Sequence, residues 1–324
     1  MSTRILLPGL IGSHPLGALA SFGLLRKLSE RDRGARLAFS MQDDWVAEVH
    51  TSHVGSLAEL VSHFGEYIAS NEIDSVLSWT DDDVRIPPDE FQRVLRSAAA
   101  SGNRELADYL TSMAADGAVD MQKKLVKPSA FYMVSGQQSF LEGMREILSQ
   151  VRSDARSAVE EALVGPWRYR TQAHSLGWDP GTERLHALRH RAPTSEKAVC
   201  VGAAVVLAFL ALPLFPSVAN AGRVATTGFV RVGREQYFTW PVWTDAICVD
   251  ELRSLLHAGT EQWISEAAAV TRRGIAAVYR SRRSEFGQGY AILKAAELVA
   301  SELPRSDFAR QYVAHRGQEG TPKG

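Results

Sequence analysis

The feature that most limits how this chain can fold is Ala198–Gly222, AVCVGAAVVLAFLALPLFPSVANAG, a run without a single charge. Its length would suffice for a bilayer span, which takes about 20 apolar residues in a helix. Pro213 and Pro216 divide the run, because proline lacks an amide donor and clashes with the turn before it. The helix is therefore expected to end after Leu212, with Ser217, Asn220 and Gly222 in a loop. About fifteen apolar residues remain, the length of a buried core helix rather than of a span.

The amino-terminal half carries helical periodicity. Arg4–Leu7 reads as a short strand closed by Pro8 and Gly9, and a helix follows from about Leu16 to Ser29, with small residues that permit close packing. Arg36–Ser40 and Trp45–Thr51 alternate as paired strands, and Leu57–Ala69 sets Leu57, Leu60, Val61, Phe64 and Ile68 on one stripe. Helices are predicted over Asp89–Ala100, Arg104–Ala115 and Ser153–Leu163, and a strand over Ala130–Val134. Past the uncharged run, Gly228–Val232 and Gln236–Trp240 form a hairpin about Gly233, and helices cover Val249–Ala258 and Glu261–Val270. Ile275–Arg280 and Tyr290–Leu293 then flank a glycine-containing turn over Ser281–Gly289. The expected class is α+β. A helix-rich lobe with short strands covers 1–164, and a mixed lobe with antiparallel hairpins around the buried helix covers 165–303. A polar tail, disordered at its end, covers 304–324.

Gly165–Arg191 holds two tryptophans, a tyrosine, three histidines and five arginines against only Asp179 and Glu183. Guanidinium forks match phosphate oxygens, and aromatic faces stack on bases. Trp167, Arg168, Tyr169, Arg170, Trp178, Arg189 and Arg191 are therefore candidate nucleic-acid contacts. Trp178, followed by Asp-Pro-Gly, reads equally as a packed indole over a turn, and Arg184–Arg189 alternates like a half-buried strand. A second cluster, Arg272, Arg273, Arg280, Arg282 and Arg283, surrounds Tyr279 with no acid from Ala267 through Arg283. The two segments are expected on one face. Their plain alternative is a solvated basic surface in a chain whose 36 basic residues include only seven lysines, as a GC-rich genome would give. Ser135, Gly136 and Gln137 form a third candidate, a phosphate seat at a helix start that Ser135 would cap together with Gln138.

Several chemistries find no support. A net charge of −1 argues against a histone-like polycation. Two cysteines, Cys200 and Cys248, make neither a zinc site alone nor a disulfide framework, and point to a reducing cytosol. The opening residues, broken by Pro8, do not make a secretory signal. Asp81–Asp83 reads as a solvated turn, and His50 and His53 as structural or surface histidines rather than metal ligands. No Gly-Lys or His-Asp dipeptide and no Gly-x-Ser-x-Gly elbow occurs, and Gly287 and Gly289 lack the third glycine of a dinucleotide site. A non-catalytic protein without cofactor is the leading reading, although an active site assembled from distant residues leaves no local motif.

Leu6–Leu28, LLPGLIGSHPLGALASFGLLRKL, resembles the opening of proteins encoded in type I-G (formerly I-U) CRISPR loci. There a Pro-Leu, then a small-residue helix ending in Gly-Leu-Leu-Arg, begins the large-subunit-like chain. FYMVSGQQSFLEGMRE (Phe131–Glu146), GPWRYR with LGWDP (Gly165–Pro180), LPLFP with TTGF (Leu212–Phe229) and GIAAVYRSRR (Gly274–Arg283) look like blocks of the same group. That group is described as a large-subunit relative or as an extension family of the CRISPR helicase–nuclease. The resemblance spans most of the chain and contains no catalytic signature. It implies a cytoplasmic, non-enzymatic part of a crRNA-guided interference complex. The implied partners are other effector subunits, the helicase–nuclease, and crRNA or target DNA, with no membrane. Chains of that class are usually longer, and no residue here takes the role of reading an adjacent motif by position. The alternative is a protein-interaction scaffold bridging the effector complex and its helicase–nuclease. An enzyme with a dispersed active site comes third.

Overall fold

The computed structural model describes residues 2–134, 138–182, 198–258, 274–286 and 290–301. The expected Arg184–Arg189 strand, the Glu261–Val270 helix and the 304–324 tail lie outside the described residues. So do Ser135, Gly136, Gln137, Arg189, Arg191, Arg272 and Arg273.

The chain opens with β1 (Thr3–Ile11), α1 (Pro15–Arg31), β2 (Arg36–Met41) and β3 (Trp45–Thr51), an antiparallel sheet in the order β1-β3-β2. β1 continues past the expected stop because an irregularity between Leu7 and Ile11 takes Pro8, which has no amide to give a ladder, out of the register. α2 (Leu57–Ala69), capped by Ser56, keeps its expected bounds. After the short α3 (Asp74–Leu77) come α4 (Pro88–Ala100) and α5 (Arg104–Met113). α5 ends early because Ala114 turns extended and begins β4 (Ala114–Asp120), the partner of β5 (Leu125–Pro128).

Ala130–Val134 forms no strand. Phe131 instead sends its ring into a cluster with Trp178, Phe215, Phe229 and Phe238, at centroid distances of 4.9 to 6.2 Å. α6 (Phe140–Arg152) is capped by Ser139, whose hydroxyl accepts from the Glu142 amide at 3.2 Å, four residues beyond the expected cap. α7 (Ala155–Val164) starts on Asp154.

The uncharged run becomes α8 (Gly202–Leu210), shorter than expected and buried at every residue. Its first residues stay extended, with Cys200 bridged to Thr171, and Pro213 sits in a 3-10 turn over Leu212–Leu214. The loop expected next is a hairpin of β6 (Ser217–Asn220) and β7 (Arg223–Thr226). A five-stranded antiparallel sheet follows: β8 (Phe229–Val232) and β9 (Glu235–Trp243), then, after α9 (Val249–His257), β10 (Ile275–Phe286), β11 (Tyr290–Leu293) and β12 (Glu297–Ser301). Its order is β11-β10-β9-β8, with β12 also paired to β10.

This is an α+β fold built around α8. α1, buried on all sides from Pro15 to Leu28, packs along α8, while α6 and α7 cover other faces. A side chain at Gly23 would collide with the α8 backbone, its Cβ falling 1.8 Å from the Leu207 carbonyl oxygen. The two larger sheets are tied by β9: Trp240 Nε1 donates to the Gly12 carbonyl and Trp243 Nε1 to the Leu37 carbonyl, both at 2.8 Å. One hydrophobic core runs from Ile5 to Leu293. Among the described residues no helix is long and apolar enough to cross a membrane.

Candidate nucleic-acid interface

Trp167–Arg170 follows α7 without regular secondary structure, with Tyr169 at φ +56°, and its burial alternates. Trp167 and Tyr169 are half-buried, while Arg168 and Arg170 are exposed. Trp167 stands edge-on to His14 at 5.2 Å and donates from Nε1 to the Ala162 carbonyl at 3.3 Å. Burial, and then the charge of Asp179, pushes the Tyr169 hydroxyl up to about 12. Arg168 accordingly presents its guanidinium to solvent while its backbone amide donates to Glu161, and Arg170 reaches Ser157 at 3.4 Å.

Trp178 is not available for stacking. It is fully buried, packed on Phe131 and Phe140, and donates from Nε1 to the Phe131 carbonyl at 3.0 Å. No face of the indole is open to a base, so Trp178, expected as a nucleic-acid contact, is instead part of the core.

The arginines expected around a flexible turn lie inside a ladder, because β10 runs unbroken to Phe286. Arg280 donates twice to Glu297 Oε2, at 3.2 and 3.1 Å, and lies over the Tyr237 ring at 4.7 Å. Arg283 donates to the Ala130 carbonyl at 3.0 Å and the Tyr132 carbonyl at 3.1 Å, and pairs with Glu285. Both therefore hold the fold together. Arg282 is exposed, with only a loose pair to Glu235 at 3.7 Å. Among the described residues, no hydrogen bond, ion pair or ring contact joins this cluster to Trp167–Arg170.

Arg282 does meet other cations. β9 pairs with β10 as far as Gln236 opposite Arg283, whereas β10 continues three residues further, paired with β11. The gap between that overhang and the β8–β9 turn is a notch of about 410 Å³. The turn is two residues, Gly233 and Arg234, closed by the Val232–Glu235 pair, with Gly233 at φ +62°. That is the type II′ arrangement, which places glycine first because only glycine takes positive φ without strain. Arg231 and Arg234 enter from this hairpin, Arg282 and Arg283 from β10, and Lys294 from beyond β11. Five cations thus face two carboxylates, Glu235 and Glu285. Arg231 and Arg234 are exposed, and no described acid lies within ion-pair distance of either. Lys294 Nζ is 4.9 Å from the Phe286 ring, and burial lowers its pKa below 10.5. Such a site can take an anion with several acceptor oxygens through bidentate guanidinium contacts.

Arg231, Arg234, Phe286 and Lys294 were absent from the residues singled out in sequence. The signal for two of them was present: RVGRE sets an arginine on each side of the turn glycine.

The other candidate sites fare differently. The amides at the start of α6 are already occupied, since Asp83 Oδ1 accepts from Phe140 at 3.0 Å and Leu141 at 3.3 Å. That helix start is thus occupied by a carboxylate of the chain itself, while the phosphate seat expected at Ser135, Gly136 and Gln137 lies outside the described residues; Asp83 is a cap rather than part of a solvated turn. His50 pairs with Glu48, and His53 stands edge-on to His63 at 4.7 Å. No group of three potential metal ligands forms among the described residues. Burial pushes the Cys200 thiol up to about 12, which leaves it a packed apolar group.

No family model matches the chain, and no curated protein matches it.

Proposed function

We propose that this chain is a non-catalytic subunit of a type I CRISPR interference complex and contacts nucleic-acid backbone at the notch between the β8–β9 turn and the end of β10. The observation that carries the contact is the charge imbalance there: Arg231 and Arg234 without acid partners among the described residues, and Arg282 held at 3.7 Å by an exposed glutamate. Exposed pairs of that kind contribute little and yield readily to a phosphate. The complex itself, with its other effector subunits, helicase–nuclease and crRNA or target DNA as cytoplasmic partners, is supported by the resemblance of the sequence blocks alone.

The test is the salt dependence of binding to a labelled oligonucleotide. Three guanidinium contacts predict a log–log slope of about −2 on a single strand, from ~0.7 per phosphate neutralised. Replacing Arg231 and Arg234 together by alanine is expected to flatten the slope to about −0.7. Binding that ignores salt would overturn the proposal.

A second reading, a scaffold between effector and helicase–nuclease, is favoured by a different surface. Met121 in the β4–β5 turn is 83% exposed and Val218 in β6 is 61% exposed, on hairpins tied by Lys127 Nζ to the Gly222 carbonyl at 2.8 Å. Glutamate at Met121 and Val218 would then break partner co-purification and leave oligonucleotide affinity intact.

A further inference from the structure

Resting on that backbone-contact reading, we infer that the notch takes a single strand, with one unstacked base against Phe286, in preference to a duplex. The geometry of the two walls argues this first. A two-stranded ribbon can enter the major groove of a duplex if its tip stands clear of its surroundings. Here the tip does not, because β10 overhangs the last β9 partner by Ser284, Glu285 and Phe286 and flanks the turn. The hairpin and the overhang are two sides of one recess, and its volume of about 410 Å³ is that of a small-ligand site. A flexible strand can feed a nucleotide into such a recess; the outer surface of a duplex cannot enter it.

The ring at the mouth is the second observation. Phe286 is 44% exposed at the end of β10, lines the same notch as Arg282 and Arg234, and has the Lys294 ammonium 4.9 Å from its ring. A backbone contact alone has no use for an exposed aromatic ring, whereas proteins that hold single strands combine cationic grooves with rings on which bases stack. Removing such a ring weakens binding by about 5- to 150-fold per base. Stacking is indifferent to sequence, since every base has a π-face, so the inferred ligand is a phosphodiester strand without a sequence requirement.

The experiment compares full-length protein, by fluorescence anisotropy at fixed salt, on four labelled 15-mers: oligo-dT, oligo-rU, an abasic deoxyribose-phosphate strand, and a duplex. The wild type is expected to bind oligo-dT or oligo-rU at least fivefold more tightly than the abasic strand, and more tightly than the duplex. The tighter of the two base-bearing strands identifies DNA or RNA as the source, and either supports the site. Phe286→Ala should erase the preference over the abasic strand while leaving abasic affinity unchanged, and Phe286→Trp should keep it. If wild type binds the abasic strand as well as oligo-dT and oligo-rU, or the duplex most tightly, the stacking inference falls and the backbone reading stands. If no strand binds in a salt-dependent way, both fall.

Discussion

Gly23→Ala tests how the chain wraps its buried helix. The added Cβ would lie 1.8 Å from the Leu207 carbonyl oxygen and 2.9 Å from the Ala211 amide nitrogen. A carbon–oxygen contact settles at about 3.4 Å, so α1 and α8 would have to part by roughly 1.5 Å. Both obstructing atoms are backbone, which removes the option of a side chain swinging aside. α1 is buried from Pro15 to Leu28 and α8 throughout, and a gap of even 0.5–1 Å forfeits about a quarter to a half of each dispersion contact along the seam. Overpacked cores lose about 1–3 kcal/mol, and an obstruction by backbone belongs at the upper end. Alanine returns about 1 kcal/mol through its better helix propensity. The net expectation is a destabilisation of about 2 kcal/mol, read as a lower urea midpoint by tryptophan fluorescence with an unchanged slope. A midpoint equal to or above wild type would show that α1 and α8 do not cross at this glycine.

Two further substitutions separate core from surface. Trp178→Phe strands the Phe131 carbonyl in a fully buried site, so stability should fall by about 1–3 kcal/mol with oligonucleotide affinity unchanged. Lost affinity without lost stability would put the indole back in the interface. Asp32 is held at about 2, below its ordinary 3.8, by the Thr51 hydroxyl foremost and by the amides of Ser52 and Gly34. A depressed carboxylate stabilises the fold above its unfolded pKa and loses that effect as pH falls through the folded one. The midpoint difference between wild type and Asp32→Asn should therefore shrink between about pH 4 and pH 2; an offset constant across that range would refute the assignment.

Elements with strong period and a local stop were legible in the sequence. α2 combines one apolar stripe with a serine cap, and β8 and β9 sit about a turn glycine. What escaped prediction is what tertiary contact decides. Phe131 lies in an apolar segment that looks like a strand, yet its ring is drawn into an aromatic cluster and its carbonyl is taken by Trp178. α6 starts on Ser139, whose hydroxyl accepts from the Glu142 amide, and the Asp83 carboxylate, more than fifty residues earlier, accepts from the amides of Phe140 and Leu141. β6 and β7 are read from small residues that give no periodic signal, and are held against β4 instead.

The arginines show the limit most clearly. A sequence records that guanidinium groups are plentiful, but not which of them have carbonyls or carboxylates waiting. Arg145 donates to the carbonyls of Leu77 and Thr80, Arg152 to that of Ile68, and Arg26 to that of Leu210. Each satisfies orphan acceptors near a helix end, a structural duty that leaves no fork for a ligand. Arg280 is taken by the Glu297 carboxylate on β12 and Arg283 by the carbonyls of Ala130 and Tyr132, whereas Arg282 between them has only the loose pair to Glu235. Side chains alternate along a strand, so Arg283 turns toward Ala130 and Tyr132 while its neighbour turns away. A slip of one residue would exchange the two. The two-residue turn at Gly233 sets the register of β8 on β9 and delivers Arg231 and Arg234 to the notch, and the pairing of β9 with β10 brings Arg282 beside them. The turn glycine, with no side chain to offer a ligand, thus places two of the open arginines.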